Sequence, residues 1–263
     1  GGFTEHLLQN AYNSLYHNEL YCCDWDMFWT SHPDAGKHSL LRAVSGGPVY
    51  VSDKVGDTDP EILKPLIYHN GELLMMDRSA RPTDDCVFAN PLTDGVLKLH
   101  NVASYGGSRK GGGFAVYNLT GQTQTFSFSP KEIPDLETAD VYCLYDYFGK
   151  KATFLEREKT YNGSLEKNGC GWFVLLPCGK NGAFLGLLDK YAGFMAVESI
   201  WESENTSVAI LRESGPLGWC SAKKPSRISL NSEDVTDQVI EQNGVFLLSL
   251  PEKAGKAVLC IEY

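Results

Sequence analysis

Asp24 and Asp26 flank a tryptophan in the stretch CCDWDMFWTSHPD, Cys22 to Asp34, at the end of an apolar run, and no basic residue stands within five positions of either. Two carboxylates at a spacing of two share one face of a β-strand, with Cys23 and Trp25 on the other. Such a pair is costly to bury without donors. At the carboxyl end of a strand in a parallel α/β fold it is tolerable, because ligands and polar partners converge there. A second apolar run, PVYV, ends at once in Ser52, Asp53 and Lys54, so both segments finish in acid-bearing polar rims. The same acids could instead cap the helices that follow or pair with lysines, and spacing alone leaves both uses open.

The elements that would position these acids alternate. EHLLQNAYNSLY predicts a helix with Leu8, Ala11, Leu15 and Tyr16 on one face, and ELYCCDWDMF predicts a strand. DAGKHSLLRAV predicts a helix started by Pro33 or Asp34, GGPVYVSD a short apolar strand, and DPEILKPLIY a helix opened by Asp59-Pro60. Unbroken apolar strands alternating with helices indicate a parallel sheet covered by helices. After about Arg81 the pattern changes to short β-branched and aromatic runs between Gly, Asn and Pro clusters. GFAVYNL, QTFSFS, ADVYCLYDY, GWFVLLP, AFLGLL, SVAILRE, RISL, VFLLSL and AVLCIEY predict strands of an antiparallel sandwich. GGSRKGGG, residues 106 to 113, predicts a flexible hairpin or sheet connection.

The chain's 263 residues suffice for one large or two ordinary domains, and two are expected. A net charge of -10 argues against a nucleic-acid partner, whose phosphates need clustered Lys and Arg, and favours neutral or cationic ones. No apolar run approaches the roughly 20 residues that span a bilayer, and GGFTEHLLQN lacks the order of a signal peptide, so no membrane association and a cytoplasmic location are expected. Most of the eight cysteines sit inside apolar runs, which predicts buried, reduced thiols rather than a disulfide framework. There is no C-x-x-C pair, and His32 and His38, expected on the solvent side of their loop and helix, lack a third ligand. Neither a metal nor a cofactor is expected. The sequons at Asn118, Asn162 and Asn205 are read as chance occurrences.

DWDMF, HPDAGKHSLLRAVSGGPVYVSDKVG and RPTDDCVF resemble the raffinose synthase and seed imbibition protein family, related to the α-galactosidases of the melibiase clan. The resemblance runs from about Phe3 to Phe88 and continues weakly beyond. It implies that residues 1–80 are the C-terminal part of a (β/α)8 TIM barrel, helix 6 to helix 8, with Leu20 to Met27 and Pro48 to Ser52 as the seventh and eighth strands. Residues 81–263 would be a C-terminal β-sandwich. Asp26 and Met27 match the D-x-D-M element that lines the galactose pocket in that clan, with Asp24 and Trp25 beside them and Asp53 on the neighbouring rim. Trp25 and Trp29 would be candidates to stack on a sugar.

The resemblance also implies that the two catalytic aspartates of a retaining glycosidase lie on earlier barrel strands, outside this chain. Asp84 and Asp85 of RPTDDC follow the last barrel helix and are assigned to structure. The expected function is that of the C-terminal part of an α-galactosidase-like hydrolase acting on α-galactosides, inactive alone and partnered by the missing N-terminal barrel. The alternatives are a raffinose synthase type α-galactosyltransferase and a non-catalytic carbohydrate-binding or assembly subunit.

Overall fold

The computed structural model describes residues 2–263. Helix α1 spans Phe3–His17, and its buried positions Phe3, Leu7, Ala11 and Ser14 fall at helical spacing. The expected face is thus displaced by one position: Leu8 and Leu15 are half-buried and Tyr16 is exposed. α2, Ala35–Ala43, starts from Asp34 as expected and buries His38, Leu40, Leu41 and Arg42. α3 is only Pro60–Leu63; Asp59 accepts the Glu61 N–H as its N-cap, and a 3-10 turn, Lys64–Leu66, follows. α4, Asp84–Val87, is one turn long.

The parallel strands expected over 20–27 and 48–52 do not form a ladder. The two runs share one parallel bridge, Phe28 with Val51, and the Ser52 N–H donates to Phe28 O at 3.1 Å. Each run has only the other to pair with. In addition, Asp26 has φ 63°, a left-handed conformation that breaks strand geometry and that Asp tolerates better than bulkier residues.

Beyond Arg81 every ladder is antiparallel. A six-stranded sheet runs, in spatial order, Arg81–Pro82, Leu97–Tyr105, Arg109–Tyr117, Cys170–Pro177, Val141–Asp146 and Lys151–Glu156. A five-stranded sheet is built around Thr206–Ser214 and Lys253–Glu262, a four-stranded one around Leu217–Cys220 and Val245–Leu248, and Gln124–Phe128 pairs with Tyr161–Leu165. All nine runs read as strands are strands. Leu97–Tyr105 is a strand that the apolar pattern missed.

The inner strands of the six-stranded sheet are buried on both faces, which explains their near-continuous apolar runs. Leu97, Leu99, Ala115, Tyr117, Trp172 and Val174 face the main core, while the intervening Phe114, Val116, Phe173 and Leu175 face a second cluster beneath Phe126 and Phe128. Phe3, Leu7, Trp25, Leu40 and Leu41 join the main core, so the helical segment packs directly on the β region.

Two other expectations are corrected. GGSRKGGG is a turn only at 106–108; from Arg109 it is strand, and a Cβ on Gly113 would come within 2.5 Å of Phe173 O and 2.8 Å of the Trp172 ring. Cys143 and Cys220, 77 residues apart, form a disulfide with Cα atoms 6.7 Å apart, and the other six cysteines are free. The two apolar runs that carry them converge only through the fold. Asn118 is buried and donates its amide to the carbonyls of Gln122, Leu165 and Glu166, so this sequon is a structural bracket.

Candidate functional site

The alternation expected around the acid pair is present in burial. Cys23 and Trp25 are buried, whereas Asp24, Asp26 and Met27 are exposed. The two carboxylates are joined through the chain: Asp24 Oδ1 accepts the Asp26 N–H at 2.8 Å, and Asp26 Oδ1 accepts the Met27 N–H at 2.8 Å. Their other oxygens take donors from far along the sequence. Tyr50 donates its hydroxyl to Asp24 Oδ2 at 2.8 Å, and His6 Nε2, on α1, lies 3.1 Å from Asp26 Oδ2.

The cation missing from the local sequence is supplied from beneath. Arg42, 1% exposed, donates Nε and Nη2 to Asp26 O at 3.2 and 3.1 Å and Nη2 to Met27 O at 3.2 Å. Its Nη1 lies 2.9 Å from His38 Nδ1. A guanidinium has no acceptor, so Nδ1 is the unprotonated ring nitrogen and the proton sits on Nε2. Burial, then Arg42, His32 and His6, push the His38 pKa down to about 3, and burial pushes Arg42 down to about 10. His38 is therefore a buried neutral histidine stacked on Phe28, not the solvent-facing residue expected. The buried guanidinium fixes the backbone that carries the left-handed Asp26.

The Met27 amide, and secondarily His6, hold the Asp26 carboxyl below its ordinary value. Asp26 thus remains ionised near neutrality and serves as an acceptor rather than an acid. With four lone-pair sites per carboxylate, Asp24 and Asp26 each keep acceptor capacity for ligand hydroxyls. A cavity of about 430 Å³ opens beside Asp24 and Trp25, with Asn10, Asn13 and His17 of α1 on its wall.

The remaining predicted residues divide. Trp25 is a core residue, 1% exposed, whose indole N–H donates to Ser14 Oγ at 2.8 Å, so it offers no stacking face and instead seats the acid loop on α1. Met27 and Trp29 are 44% and 56% exposed. Asp53 is drawn away from the pair: its two oxygens accept the Thr30 N–H and hydroxyl, each at 2.8 Å, and Thr30 Oγ1 accepts the Asp59 N–H. Asp53 therefore ties the loop after Phe28 to the start of α3. Asp85 is likewise structural, held by Thr83 at 2.6 Å and Lys98 at 2.8 Å. His6, Arg42, Tyr50 and Thr30 were not singled out by sequence, and no local spacing marks them.

Residues 3–128 match the family model described as raffinose synthase or seed imbibition protein Sip1. The galactinol–sucrose galactosyltransferase of Oryza sativa subsp. japonica is 37% identical over 98% of this chain and 36% of its own length. The stachyose synthase of Pisum sativum is 42% identical over 39% of this chain and 12% of its own length. Among solved structures, α-galactosidase I from Mortierella vinacea is similar over 59% of this chain and 39% of its own, at 11% identity and a TM-score of 0.42. The chain spans a little over a third of the length of the curated relatives that it matches almost end to end. Residues 3–128, which hold the acid loop and the helices around it, are thus similar to the raffinose synthase and seed imbibition protein family.

Proposed function

We propose that this chain is part of an α-galactosyl-transferring protein that moves galactose from galactinol to sucrose. The observation that carries the reading is the 37% identity with a galactinol–sucrose galactosyltransferase along 98% of the chain. The relatives' names favour transfer over the hydrolysis expected from sequence. In this reading residues 1–80 complete a (β/α)8 barrel whose other strands lie in the remainder of the protein, and residues 81–263 are its accompanying β-sandwich. Asp24 and Asp26 bind galactose hydroxyls, Met27 lies against the sugar, and Trp25 and Asp53 hold the loops that present them.

The chemistry agrees with a binding role. Retaining transfer needs a nucleophilic carboxylate and a second carboxyl that is protonated when the leaving group departs, roughly 5 Å apart. Asp26 is held ionised, and Asp24 already accepts two hydrogen bonds. These groups orient sugar, and the reacting pair lies elsewhere in the protein.

The test is Asp26→Ala in the full-length protein, with products separated so that transfer to sucrose and release of free galactose are both counted. The expected outcome is transfer as the major product and a loss of at least about tenfold in kcat/KM, the scale of one charge-assisted hydrogen bond. Unchanged kinetics with intact folding would remove Asp26 from the site, and free galactose as the main product would return the reading to hydrolysis.

A further inference from the structure

A second cavity, about 440 Å³, lies in the β region, and none of its walls comes from residues 1–80. Its volume falls within the roughly 300–1,000 Å³ of small-molecule sites. It opens between the turn Tyr147–Lys150 of the six-stranded sheet and the edge of the four-stranded sheet, where Gln242 and Ser249 line it.

The turn is built, not loose. The Tyr147 N–H donates to Trp172 O at 3.0 Å, the Gly149 N–H to Asp146 Oδ1 at 2.9 Å, and the Tyr147 hydroxyl to Asp189 O at 3.0 Å. Tyr147 packs edge-on against Phe148 at 5.2 Å, which leaves Phe148 48% exposed at the rim. Asp189 binds the buried Lys190 through Oδ2 at 3.0 Å, while its Oδ1 is buried without a hydrogen-bond partner. A wall fixed in this way does not have to be ordered by a ligand.

The lining chemistry selects among ligand classes. One cation, Lys150, faces the space with the Asp189 carboxylate, already paired with Lys190, and with two neutral groups, Gln242 and Ser249, that both donate and accept. A cationic ligand would meet Lys150. A wholly apolar ligand would strip water from these groups without replacing its hydrogen bonds. A neutral ring bearing hydroxyls offers hydrogen bonds to Lys150, Gln242 and Ser249 and lays an apolar C–H face on the aromatic rings. We infer that this cavity is a carbohydrate-binding site for a neutral mono- or disaccharide unit, separate from the Asp24–Asp26 rim. It does not rest on the galactosyl-transfer reading, because binding is read directly on this chain.

The test titrates the purified chain with sucrose and with raffinose, following saturation transfer from protein to sugar protons by NMR and heat by calorimetry. Binding with a dissociation constant on the order of 1 mM is expected for at least one of the two sugars. Phe148→Ala and Gln242→Ala, both at exposed positions, should each weaken it at least about fivefold, the scale of one lost stacking or polar contact, with circular dichroism unchanged. Phe88→Ala, at an exposed position outside both cavities, should bind as the parent does. Absence of saturation transfer from both sugars, affinity indifferent to both cavity variants, or binding lost in Phe88→Ala would each overturn the inference.

Discussion

Residues 2–80 and 81–263 solve the same packing problem to different degrees. The β region closes: the inner strands of its largest sheet are covered on both faces, and its backbone is paired in antiparallel ladders. The helical segment covers one side of that core with α1 and α2 and leaves its acid loop joined to the next run by a single bridge. Among the described residues, eight of the sixteen exposed large apolar side chains fall within 2–80, including Leu20, Tyr21, Trp29 and Val55, although that segment is less than a third of the chain. Unpaired backbone beside exposed apolar side chains is a surface made to be covered. The contrast teaches that the candidate site sits on the less closed half, so its geometry depends on a few long-range brackets rather than on a surrounding sheet.

The largest expected effect tests closure. Trp172 and Trp25 are both buried, and each donates its indole N–H, to Tyr191 O at 2.7 Å and to Ser14 Oγ at 2.8 Å. Trp172→Ala should lower global stability by about 3–5 kcal/mol in urea unfolding. Trp25→Ala should cost less globally and appear as faster amide exchange confined to α1 and the segment from Tyr21 to Met27. Equal global losses from the two variants would show that the halves are not differently held.

The same contrast separates what was legible in the sequence from what was not. The β runs were readable because β-branched and aromatic runs bounded by Gly, Asn and Pro record a local fact, a buried strand between turns. Leu97–Tyr105 escaped because Lys98, His100 and Asn101 interrupt its pattern, yet all three are buried. Asn101 donates its amide to Val44 O at 2.7 Å and Arg78 O at 2.5 Å, and Lys98 meets Asp85, partners that no local window contains. The α1 face was displaced for a similar reason, since Ser14 is buried to receive Trp25. At the site, the exposure of Asp24 and Asp26 beside buried Trp25 followed from alternation alone. The donors that fix them, His6, Arg42 and Tyr50, are 16 to 26 residues away, on helices and a loop whose approach is set by the fold.

A smaller effect distinguishes the halves by pH. An unfolded histidine takes a proton below about 6.5, but folded His38 does so only at about 3 and folded His100, in the β region, only at about 4, burial being the main cause for both. Between those values acid protonates the unfolded chain first. The stability that each neutral ring contributes is therefore complete above 6.5 and is lost as pH falls, by about 1.4 kcal/mol per unit per group. His38→Gln keeps an acceptor for Arg42 and should flatten part of this acid limb in unfolding measurements at pH 7, 6 and 5. The lost protection should map to α2 and the acid loop. For His100→Gln the flattening should map to the β sheet. An acid limb unchanged in His38→Gln would show that the ring is not kept neutral.

The smallest effect isolates one bracket of the site. The Tyr50 hydroxyl is bound to Asp24 alone among the described residues, and the side chain is 41% exposed. Tyr50→Phe removes that donor and leaves the ring in place. Because water can replace an exposed donor, stability should change by no more than about 0.5 kcal/mol. Orientation of the Asp24 carboxylate should suffer more than stability, since its other oxygen is held only by the Asp26 amide. In the full-length protein this predicts a loss of roughly threefold in kcat/KM, the scale of one neutral hydrogen bond, with kcat less affected than KM. A stability loss above about 1 kcal/mol would place Tyr50 among the structural supports and the acid loop in a firmer setting than its single bridge suggests. A change in neither quantity would leave Asp24 oriented by its own backbone turn, with Asp26 as the carboxylate on which the binding proposal then depends.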